Sequence, residues 1–406
     1  MPSAKRRLLL LGGGHAHVHV LQSLHRTPLA GAEVTLVTPF RRQMYSGMVP
    51  GLVAGHYEAD ACAIPLPPLA AAARVSLIDG AAAQIDADQR RVRLEDGRWL
   101  DCDVLSIDTG AVMRRDRLPG AAEHALFVRP IEHFVRHLDG LWSRATEAGD
   151  PGAAPRSALV VVGGGAAGVE LALALRHRLT RRSSGSPMPT ASGVAPAITL
   201  LTGGPPPLAD YPPRARKLVA RALSQRGVQV LQQRCCAVEA DALVLDDGAR
   251  LRCDAAILAT GSEAPRWLQG SGLALDDRGF IRTGATLQSV SHPAVFAVGD
   301  VAERDDEAHP RSGVYAVRAG PPLAANLRHA IAGAALQPHH PPQRTLNLIS
   351  TGDRNAILTY GRWSLQGRWA WWWKDRIDRG FVRTYRVGDG DGGGELGPAD
   401  RSTRSA

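Results

Sequence analysis

Residues 8–20 of this 406-residue chain, LLLLGGGHAHVHV, place four leucines directly before three glycines and a segment that can form a helix. Four leucines are too few to cross a membrane, and they predict a buried strand. In a turn from such a strand into a helix, glycines let the backbone approach a pyrophosphate, which the helix N-terminus then holds. Gly12, Gly14 and His17 match two of the three glycines of the G-x-G-x-x-G dinucleotide fingerprint.

The chain contains a second copy of this pattern. Residues 158–170, ALVVVGGGAAGVE, carry Gly163, Gly165 and Gly168 at the full fingerprint spacing. The likeness extends further, since residues 75–110 and 228–261 share one order: a strand, an alternating meander with a D-G turn, the dipeptide CD, an apolar strand and TG. We therefore predict two dinucleotide-binding units in one polypeptide.

Charge and cysteine content exclude several classes of protein. The formal net charge is +9, but only three of the 48 basic residues are lysines, and the arginines are scattered. This pattern is typical of a GC-rich bacterial genome and argues against a nucleic-acid-binding protein. The five cysteines form no zinc or C-x-x-C spacing, which favours a reducing cytosol. No apolar run reaches the roughly 18 residues of a membrane-spanning helix, so a cytoplasmic protein is predicted.

Three more segments complete a recognisable set: YSGMVPGLVAGHY at 45–57, AVFAVGD at 294–300 and RSGVYAVRAGPPLAANL at 311–327. Together with GGGHAHV they resemble the pyridine nucleotide-disulfide oxidoreductase superfamily. More narrowly, they resemble the flavoprotein module fused to selenide, water dikinase, which is similar to type II NADH dehydrogenases. The resemblance implies an α/β fold of glutathione-reductase type, with two Rossmann-like domains and a small C-terminal region. FAD would occupy the first domain and NAD(P)H the second.

The same resemblance predicts the domain boundaries. The FAD-binding domain is discontinuous and takes residues 1–115 and 266–340, while the NAD(P)H-binding domain takes residues 116–265. Residues 341–386 provide C-terminal strands and an amphipathic helix. The glycine-rich residues 387–406 are expected to be a disordered tail.

Two internal segments are predicted to be loops. Residues 44–51, MYSGMVPG, contain turn-forming glycines and Pro50. This segment is either a surface turn or, as the resemblance implies, a loop beside the flavin ring. The low-complexity residues 181–197 are expected to be a flexible insertion, which accounts for the longer path from fingerprint to next strand in the second unit.

The resemblance implies which residues hold the cofactors. Thr38 stands where an acid usually binds the adenosine ribose, so that contact is weaker or is helped by Arg41 and Arg42. The corresponding strand of the second unit, which ends at Thr202, has neither an acid nor an immediate arginine, and NADH and NADPH both stay open. The expected FAD-binding residues are Gly12, Gly13, Gly14, His15, Thr38, Arg41, Tyr45, Ser46, Gly110, Gly299, Asp300 and Val314. The expected NAD(P)H-binding residues are Gly163, Gly165, Gly168 and Gly261.

Two of these predictions carry a specific role. Asp300 is expected to bind the ribityl chain of the flavin. The helix that begins near Val314 is expected to direct its positive end at the pyrimidine end of the flavin ring.

Glu170, just past the second fingerprint, is the candidate catalytic residue and is expected to position the nicotinamide. Its alternative is a first-turn carboxylate that the helix dipole favours. Disulfide reductases of the superfamily carry two cysteines near the flavin, but residues 38–57 contain none, so electrons are expected to leave the flavin directly. His15 and His19 share a helical face without a suitable third ligand nearby, which favours a structural or cofactor-neighbouring role over a metal site.

Five of the eight tryptophans fall within residues 363–373, before the basic segment KDRIDRGFVRTYR. Trp369, Trp373, Ile377 and Phe381 form one stripe at helical spacing, which predicts an amphipathic helix over 363–386. The stripe either packs on the core or on a homodimer partner, or it lies in the membrane interface on the inner face of the cell membrane.

The predicted function is that of an FAD-dependent NAD(P)H oxidoreductase that passes electrons directly to an acceptor. The acceptor is a quinone if the membrane interpretation holds. The alternative is a flavin-binding accessory or sensor module linked to selenium metabolism, with little turnover. The complete second fingerprint argues against that alternative, because it has no use unless a dinucleotide binds.

Overall fold

The computed structural model describes residues 5–146, 158–185 and 197–387. The chain begins with β1 (Arg6–Leu11), α1 (His15–Arg26), β2 (Ala32–Thr38), β3 (Arg42–Met44), α2 (Val49–Ala54), β4 (Ala63–Pro65), α3 (Leu66–Ala72), β5 (Ser76–Asp79), β6 (Ala82–Asp86), β7 (Arg91–Leu94), β8 (Trp99–Asp101) and β9 (Val104–Ile107). It continues with α4 (Ala121–His124), β10 (Ala125–Phe127), α5 (Ile131–Thr146), β11 (Ala158–Val162), α6 (Ala166–Gly185), β12 (Ala197–Leu201), α7 (Pro213–Gln225), β13 (Val228–Leu231), β14 (Cys235–Val238), β15 (Ala242–Leu245), β16 (Arg250–Arg252) and β17 (Ala255–Leu258). The last elements are β18 (Ile281–Thr283), β19 (Val295–Ala297), β20 (Ala302–Arg304), α8 (Gly313–Ala332), β21 (Leu346–Ser350), β22 (Ala356–Tyr360), β23 (Trp363–Gly367) and α9 (Arg368–Thr384).

The first parallel sheet has the strand order β19-β9-β1-β2-β5. The leucine strand β1 lies at its centre, paired with β2 on one side and β9 on the other. Its four leucines are buried because helices and a meander cover both faces of a parallel sheet. Strand β19 joins this sheet after the second unit has been completed, so the sheet is assembled from two separate parts of the chain.

The second parallel sheet, β10-β17-β11-β12-β13, repeats the first. Each sheet is accompanied by a three-stranded antiparallel meander, β6-β7-β8 or β14-β15-β16, at the equivalent position in the chain. The internal repeat in the sequence predicted this duplication. The α/β fold class with two Rossmann-like sheets is confirmed.

The C-terminal unit consists of the antiparallel sheet β21-β22-β23 and the helix α9 that packs on it. The sheet contacts α6 and α7 of the second unit, whereas α9 reaches the short helical turns Ser46–Met48 and Ala59–Cys62 of the first. This unit therefore touches both dinucleotide-binding units.

The prediction of a loop over residues 44–51 is wrong. This segment ends β3, forms the turn Ser46–Met48 and enters α2, and both Met44 and Met48 are completely buried. Pro50 lies in the first turn of α2, where its missing N–H costs nothing, and Gly55 ends the helix in a left-handed conformation. Proline and glycine often signal a turn, but in this segment they mark the two ends of a short helix.

Two other boundaries differ from the predictions. Helix α6 continues to Gly185, so the first five residues of the predicted loop 181–197 are helical, and 186–196 lie outside the described residues. Residues 363–367 do not begin the C-terminal helix but form β23, where Trp363 pairs with Tyr360 across a two-residue turn. Aromatic residues favour strands, and Gly361 supplies the positive φ of 53° that the turn requires. Residues 388–406 of the predicted tail also lie outside the described residues.

Across 5–146, 158–185 and 197–387, no helix is long and apolar enough to span a membrane.

Candidate functional site

The first glycine turn brings the backbone of β1 against the end of β9. Gly12 has a φ of 93°, and a Cβ atom there would lie 2.5 Å from the carbonyl oxygen of Asp108. A Cβ atom on Gly13 would lie 2.6 Å from the side chain of Leu66. Helix α1 begins at His15, so its N-terminus lies at this turn. The turn therefore has the shape and polarity of a dinucleotide phosphate site.

Asp108, at the end of β9, is a site residue that the sequence reasoning missed. Its Oδ2 accepts hydrogen bonds from the N–H groups of Ala16 at 2.8 Å and His17 at 3.0 Å. Burial raises the pKa of Asp108 to about 6, against the lowering effect of those hydrogen bonds and of nearby His15. The sequence signal that could have revealed it is the tripeptide DTG of the first unit, which corresponds to ATG at the equivalent position of the second unit.

His17, which replaces the third fingerprint glycine, stabilises the glycine turn. Its Nδ1 lies 2.6 Å from the carbonyl oxygen of Gly12, and its Nε2 lies 2.8 Å from Oγ of Ser106. Burial lowers the pKa of His17 to about 4, so the ring is neutral at physiological pH. This side chain links the turn to strand β9 by two hydrogen bonds.

His15 and His19 point to different neighbours. The buried Nε2 of His15 has no hydrogen-bond partner among the described residues, and its ring packs edge-on to Tyr45 with centroids 5.5 Å apart. His19 Nδ1 lies 3.1 Å from the hydroxyl of Tyr385. The part of the chain that the structure describes contains no group of three or more side chains that could hold a metal ion.

The predicted flavin-facing residues come together from three parts of the chain. Tyr45 is stacked on Phe381 of α9 with ring centroids 4.3 Å apart. Ser46 lies beside the start of α8. A Cβ atom placed on Gly313 would be only 3.3 Å from the Oγ of Ser46. Val314 is the next residue of that helix, as predicted from the sequence.

Asp300 lies in the turn Gly299–Val301 after β19, and its Oδ2 forms a 2.8 Å ion pair with Nη1 of Arg129. Gly299 has a φ of 70°, and a Cβ atom there would lie 2.9 Å from Oδ1 of Asp108. The aspartate predicted from the GD motif therefore lies close to the first glycine turn. Arg129 is a second residue that sequence reasoning missed, and it lies in the second unit between β10 and α5.

The residues predicted for the adenosine end are more dispersed. Thr38 is buried at the end of β2, and its Oγ1 accepts a hydrogen bond from the N–H of Phe40 at 3.3 Å. Arg41 is exposed and forms a 2.7 Å ion pair with Asp79 at the end of β5. Gly110 follows β9 with a φ of 71°. Arg41 is free to move toward a ligand because an exposed ion pair contributes little.

The second glycine turn has the same construction. Gly163 has a φ of 134°, and a Cβ atom there would overlap the carbonyl oxygen of Ala259. A Cβ atom on Gly168 would overlap the carbonyl oxygen of Gly163, whereas Gly165 and Gly261 face open space. The buried Oγ1 of Thr202, at the predicted ribose position, has no hydrogen-bond partner among the described residues. The space and the unpaired hydroxyl fit a dinucleotide.

Glu170 connects the second unit to the C-terminal unit. It is the fifth residue of α6, whose first turn contains no acidic residue, so the alternative of a first-turn carboxylate is wrong. Its Oε1 accepts a 2.7 Å hydrogen bond from the N–H of Ser350. Burial raises the pKa of Glu170 to about 7, and the nearby ammonium group of Lys374 opposes the shift. A buried carboxyl group that titrates near neutrality is a common property of functional sites.

Lys374 links this carboxylate to the first unit. Its Nζ donates to the carbonyl oxygen of Gly47 at 2.6 Å and to Oδ2 of Asp378 at 2.7 Å. Burial alone would lower the pKa of Lys374, but Asp378 and Glu170 raise it above its usual range. The lysine is therefore charged. From α9 it contacts Gly47 of the first unit and faces Glu170 of the second unit.

One cysteine lies beside the predicted flavin-facing residues, since the carbonyl oxygen of Cys62 accepts a 2.8 Å hydrogen bond from the N–H of Tyr45. Burial raises the pKa of the Cys62 thiol to about 12, and this thiol is not part of a disulfide. Cys235 and Cys236 are on β14 of the second meander, and all five cysteines are free thiols.

Known proteins resemble this chain in sequence. A family model described as pyridine nucleotide-disulphide oxidoreductase matches residues 6–320. An NADH dehydrogenase-like protein of Mycobacterium tuberculosis is 32% identical over 260 residues, which are 62% of this chain and 62% of that protein. The alignment thus spans less than two thirds of this relative. The demethylphylloquinone reductase of Synechocystis is 26% identical over 317 residues, 75% of this chain and 74% of that protein.

Solved structures show the same fold. The NDH2 of Plasmodium falciparum in complex with NADH has a TM-score of 0.79 at 13% identity, over 94% of this chain and 97% of that chain. The sulfide:quinone oxidoreductase of Aquifex aeolicus has a TM-score of 0.76 at 17% identity, over 94% of this chain and 91% of that chain. At these identities, the likeness extends to the fold alone.

Proposed function

Because the chain belongs to the pyridine nucleotide-disulphide oxidoreductase family and binds the cofactors of that family, FAD and NAD(P)H, we propose that it is an NAD(P)H oxidoreductase that passes electrons directly to a quinone. FAD binds at the first glycine turn and NAD(P)H at the second. When bound, these cofactors supply the redox chemistry, and the protein supplies binding, orientation and electrostatics.

The observation that carries this proposal is the arrangement of two glycine turns joined by the C-terminal unit. Ser350 contacts Glu170 beside the second turn, and Lys374 contacts Gly47 beside Tyr45 of the first unit. A hydride donor and acceptor react only when held at contact distance in a fixed orientation. The contacts of Ser350 and Lys374 tie the C-terminal unit to both other units, which supports such an arrangement.

Each predicted site residue then has a task that follows from its place. The N-terminus of α1 and the glycines Gly12, Gly13 and Gly14 hold the FAD diphosphate, and the unpaired Nε2 of His15 is available to the same ligand. Asp300 holds the ribityl chain of the flavin. Ser46, which comes from an earlier part of the chain, lies beside the flavin ring. Half-buried Tyr45, stacked on Phe381, excludes water from this side of the site.

A quinone is the proposed acceptor because an apolar surface lies on the C-terminal unit. We define the tryptophan surface as the exposed side chains of Tyr360, Trp363, Leu365, Trp369, Trp372, Trp373 and Ile377. Trp372 is 62% exposed and Trp369 is 48% exposed, although large apolar side chains are normally buried. The exposed arginines Arg362, Arg368 and Arg376 lie among them.

The tryptophan surface supports the membrane interpretation over core packing. Of the predicted stripe, Trp369, Trp373 and Ile377 are exposed, and Phe381 turns inward against Tyr45. Tryptophan and arginine together are typical of proteins that lie in a membrane interface. Lipid-soluble quinones would reach the protein there, as expected for a relative of a demethylphylloquinone reductase.

The proposed function is tested with the purified full-length protein. We expect a bound-flavin spectrum that bleaches anaerobically with NADH or NADPH and recovers on addition of a quinone. Selenium compounds and oxygen serve as competing acceptors in the same assay. Dithionite titration is expected to consume two electrons per subunit. Four electrons would reveal a second redox centre, and absence of bleaching with either nucleotide would support the accessory-module alternative instead.

Replacing Trp369, Trp372 and Trp373 together with serine is expected to abolish binding to vesicles of phosphatidylethanolamine and phosphatidylglycerol, because the apolar anchor is lost. Co-sedimentation measures this binding. Reduction of a water-soluble quinone should be unchanged. Reduction of a membrane quinone should fall at least about tenfold, since each tryptophan that enters the membrane interface contributes strongly to the partitioning of the protein onto the membrane.

The matched control is Trp99→Ser, which removes a tryptophan that is 39% exposed on the first meander. Equal vesicle binding by the triple variant and the control would remove the membrane role and leave a soluble acceptor. Truncation before α9 is a poor test, because Ala370 and Val382 of this helix are buried in the core.

A further inference from the structure

Asp108 occupies the part of the first unit to which the dinucleotide phosphate is expected to bind. Its Oδ2 accepts the N–H groups of Ala16 and His17, in the first turn of α1. A Cβ atom on Gly14 would overlap the Asp108 carboxyl group, so the side chain lies directly against the glycine turn. Two anions, the carboxylate and a diphosphate, are therefore brought to one helix end.

The charged and titratable groups around Asp108 do not neutralise it. His17 is neutral, since both ring nitrogens are hydrogen-bonded to Gly12 and Ser106 and burial lowers its pKa to about 4. Burial also lowers the pKa of His15. From the turn after β19, Asp300 adds a negative charge, and Arg129 is paired with Asp300 at 2.8 Å.

The second unit shows what the same turn looks like without the carboxyl group. Ala259 follows β17 as Asp108 follows β9, and its carbonyl oxygen faces Gly163 as that of Asp108 faces Gly12. A Cβ atom on Gly165 would meet nothing within 4 Å, in contrast to one on Gly14. The chain therefore contains its own comparison, with one glycine turn that carries an acid and one that does not.

We propose that FAD binding to the first unit is coupled to the uptake of one proton by Asp108, whose carboxyl group is neutral when a diphosphate shares the N-terminus of α1. This inference rests on the proposed function, in which FAD binds at that turn. The reaction balances as ionised protein plus one proton plus FAD giving the protonated complex. Both N–H groups donate to Oδ2, which leaves Oδ1 to carry the proton.

The direction of the pH dependence follows from this coupling. Burial places the pKa of Asp108 at about 6 without ligand. A bound diphosphate stabilises the neutral form further, so the complex holds a proton that the free protein has released above that pH. The Kd for FAD should then rise about tenfold per pH unit above about pH 6. Proton uptake should approach one per FAD near pH 8.

The experiment uses the full-length protein freed of flavin. FAD is titrated from pH 6 to pH 8.5 with flavin fluorescence as the signal, and calorimetry in buffers of different ionisation enthalpy counts protons. Asp108→Asn keeps an oxygen that accepts both N–H groups but cannot take up a proton. We expect this variant to bind FAD without proton uptake and with a pH-independent Kd. At pH 8 it should bind FAD about 100-fold more tightly than the original protein, which has then passed through two pH units above its pKa. Asp101→Asn, an exposed carboxylate on β8, should behave like the original protein.

The converse variant uses the second unit. Ala259→Asp should weaken NADH binding and make it pH-dependent, while FAD binding stays unchanged. FAD binding by the original protein without proton uptake, or proton uptake that persists in Asp108→Asn, would overturn the role of Asp108. If the original protein binds no FAD at any pH, the proposed function itself fails. The proton count on the original protein needs no variant and decides the question even if a substitution prevents folding.

Discussion

Replacing Lys374 with methionine is expected to lower the free energy of unfolding by about 3–5 kcal/mol. The reason is that the buried carboxyl group of Asp378 would lose its counter-charge. The side chains of Lys374 and Asp378 are only 11% and 6% exposed, and their charged atoms lie 2.7 Å apart. The ammonium group also satisfies the carbonyl oxygen of Gly47 and faces Glu170. Urea unfolding of the FAD-loaded protein, followed by tryptophan fluorescence, measures the change.

Two further variants separate charge loss from packing loss. The double variant Lys374→Met, Asp378→Leu should recover most of the lost stability, since it removes both charges and keeps the volume. Arg379→Met breaks an exposed i,i+4 pair with Asp375 on the same helix, at 2.9 Å, and should cost less than about 1 kcal/mol. If Lys374→Met costs no more than Arg379→Met, the buried pair does not stabilise the C-terminal unit.

Replacing Glu170 with glutamine is expected to slow flavin reduction by NAD(P)H by about 100-fold, the loss typical of a small misplacement of reacting groups. The carboxylate is held by the N–H of Ser350 at 2.7 Å and faces Lys374, so its orientation is fixed. Glutamine has the same shape but presents an amide to these partners. Anaerobic stopped-flow bleaching of the flavin at saturating nucleotide measures the rate, and reduction by dithionite should be unaffected.

The pH profile gives an independent reading of the same residue. Burial raises the pKa of Glu170 to about 7. A carboxylate that positions the nicotinamide by accepting hydrogen bonds acts in its ionised form, so the rate should rise with pH through about 7 and level off above it. The glutamine variant should show no such rise. An unchanged rate in Glu170→Gln or Glu170→Ala would contradict the positioning role and leave the residue with a structural role as the partner of Ser350.

The sequence predicted the two sheets because the fold repeats a local pattern. Apolar strands followed by glycines at fixed spacing, and meanders ending in CD and TG, are features of neighbouring residues that periodicity detects. The same holds for β12 and for α8, whose start at Gly313 lies one residue from the prediction at Val314. Segment 44–51 was mispredicted because glycine and proline have one meaning in turns and another at helix ends.

The contacts that complete the site were not predictable in this way. Lys374 and Gly47 are separated by more than 300 residues, and Glu170 and Ser350 by 180. Single-sequence patterns contain no information about such pairs. Lys374 lies among exposed arginines in a predominantly basic segment, and only the fold shows that it points inward. Asp108 was visible only as a difference between two aligned copies, DTG and ATG.

The position of the C-terminal unit in the chain has a consequence for biosynthesis. Both glycine turns are translated well before Ser350 and Lys374 leave the ribosome, since synthesis proceeds from the N-terminus. Until then Glu170 lacks the amide and ammonium groups that it contacts in the finished protein. A nascent chain halted before β21 would hold both nucleotide-binding units, in contact through α2 and α6, without the C-terminal unit that completes the surroundings of Glu170. Glu170 therefore reaches its final surroundings only after the last strands and α9 have been made.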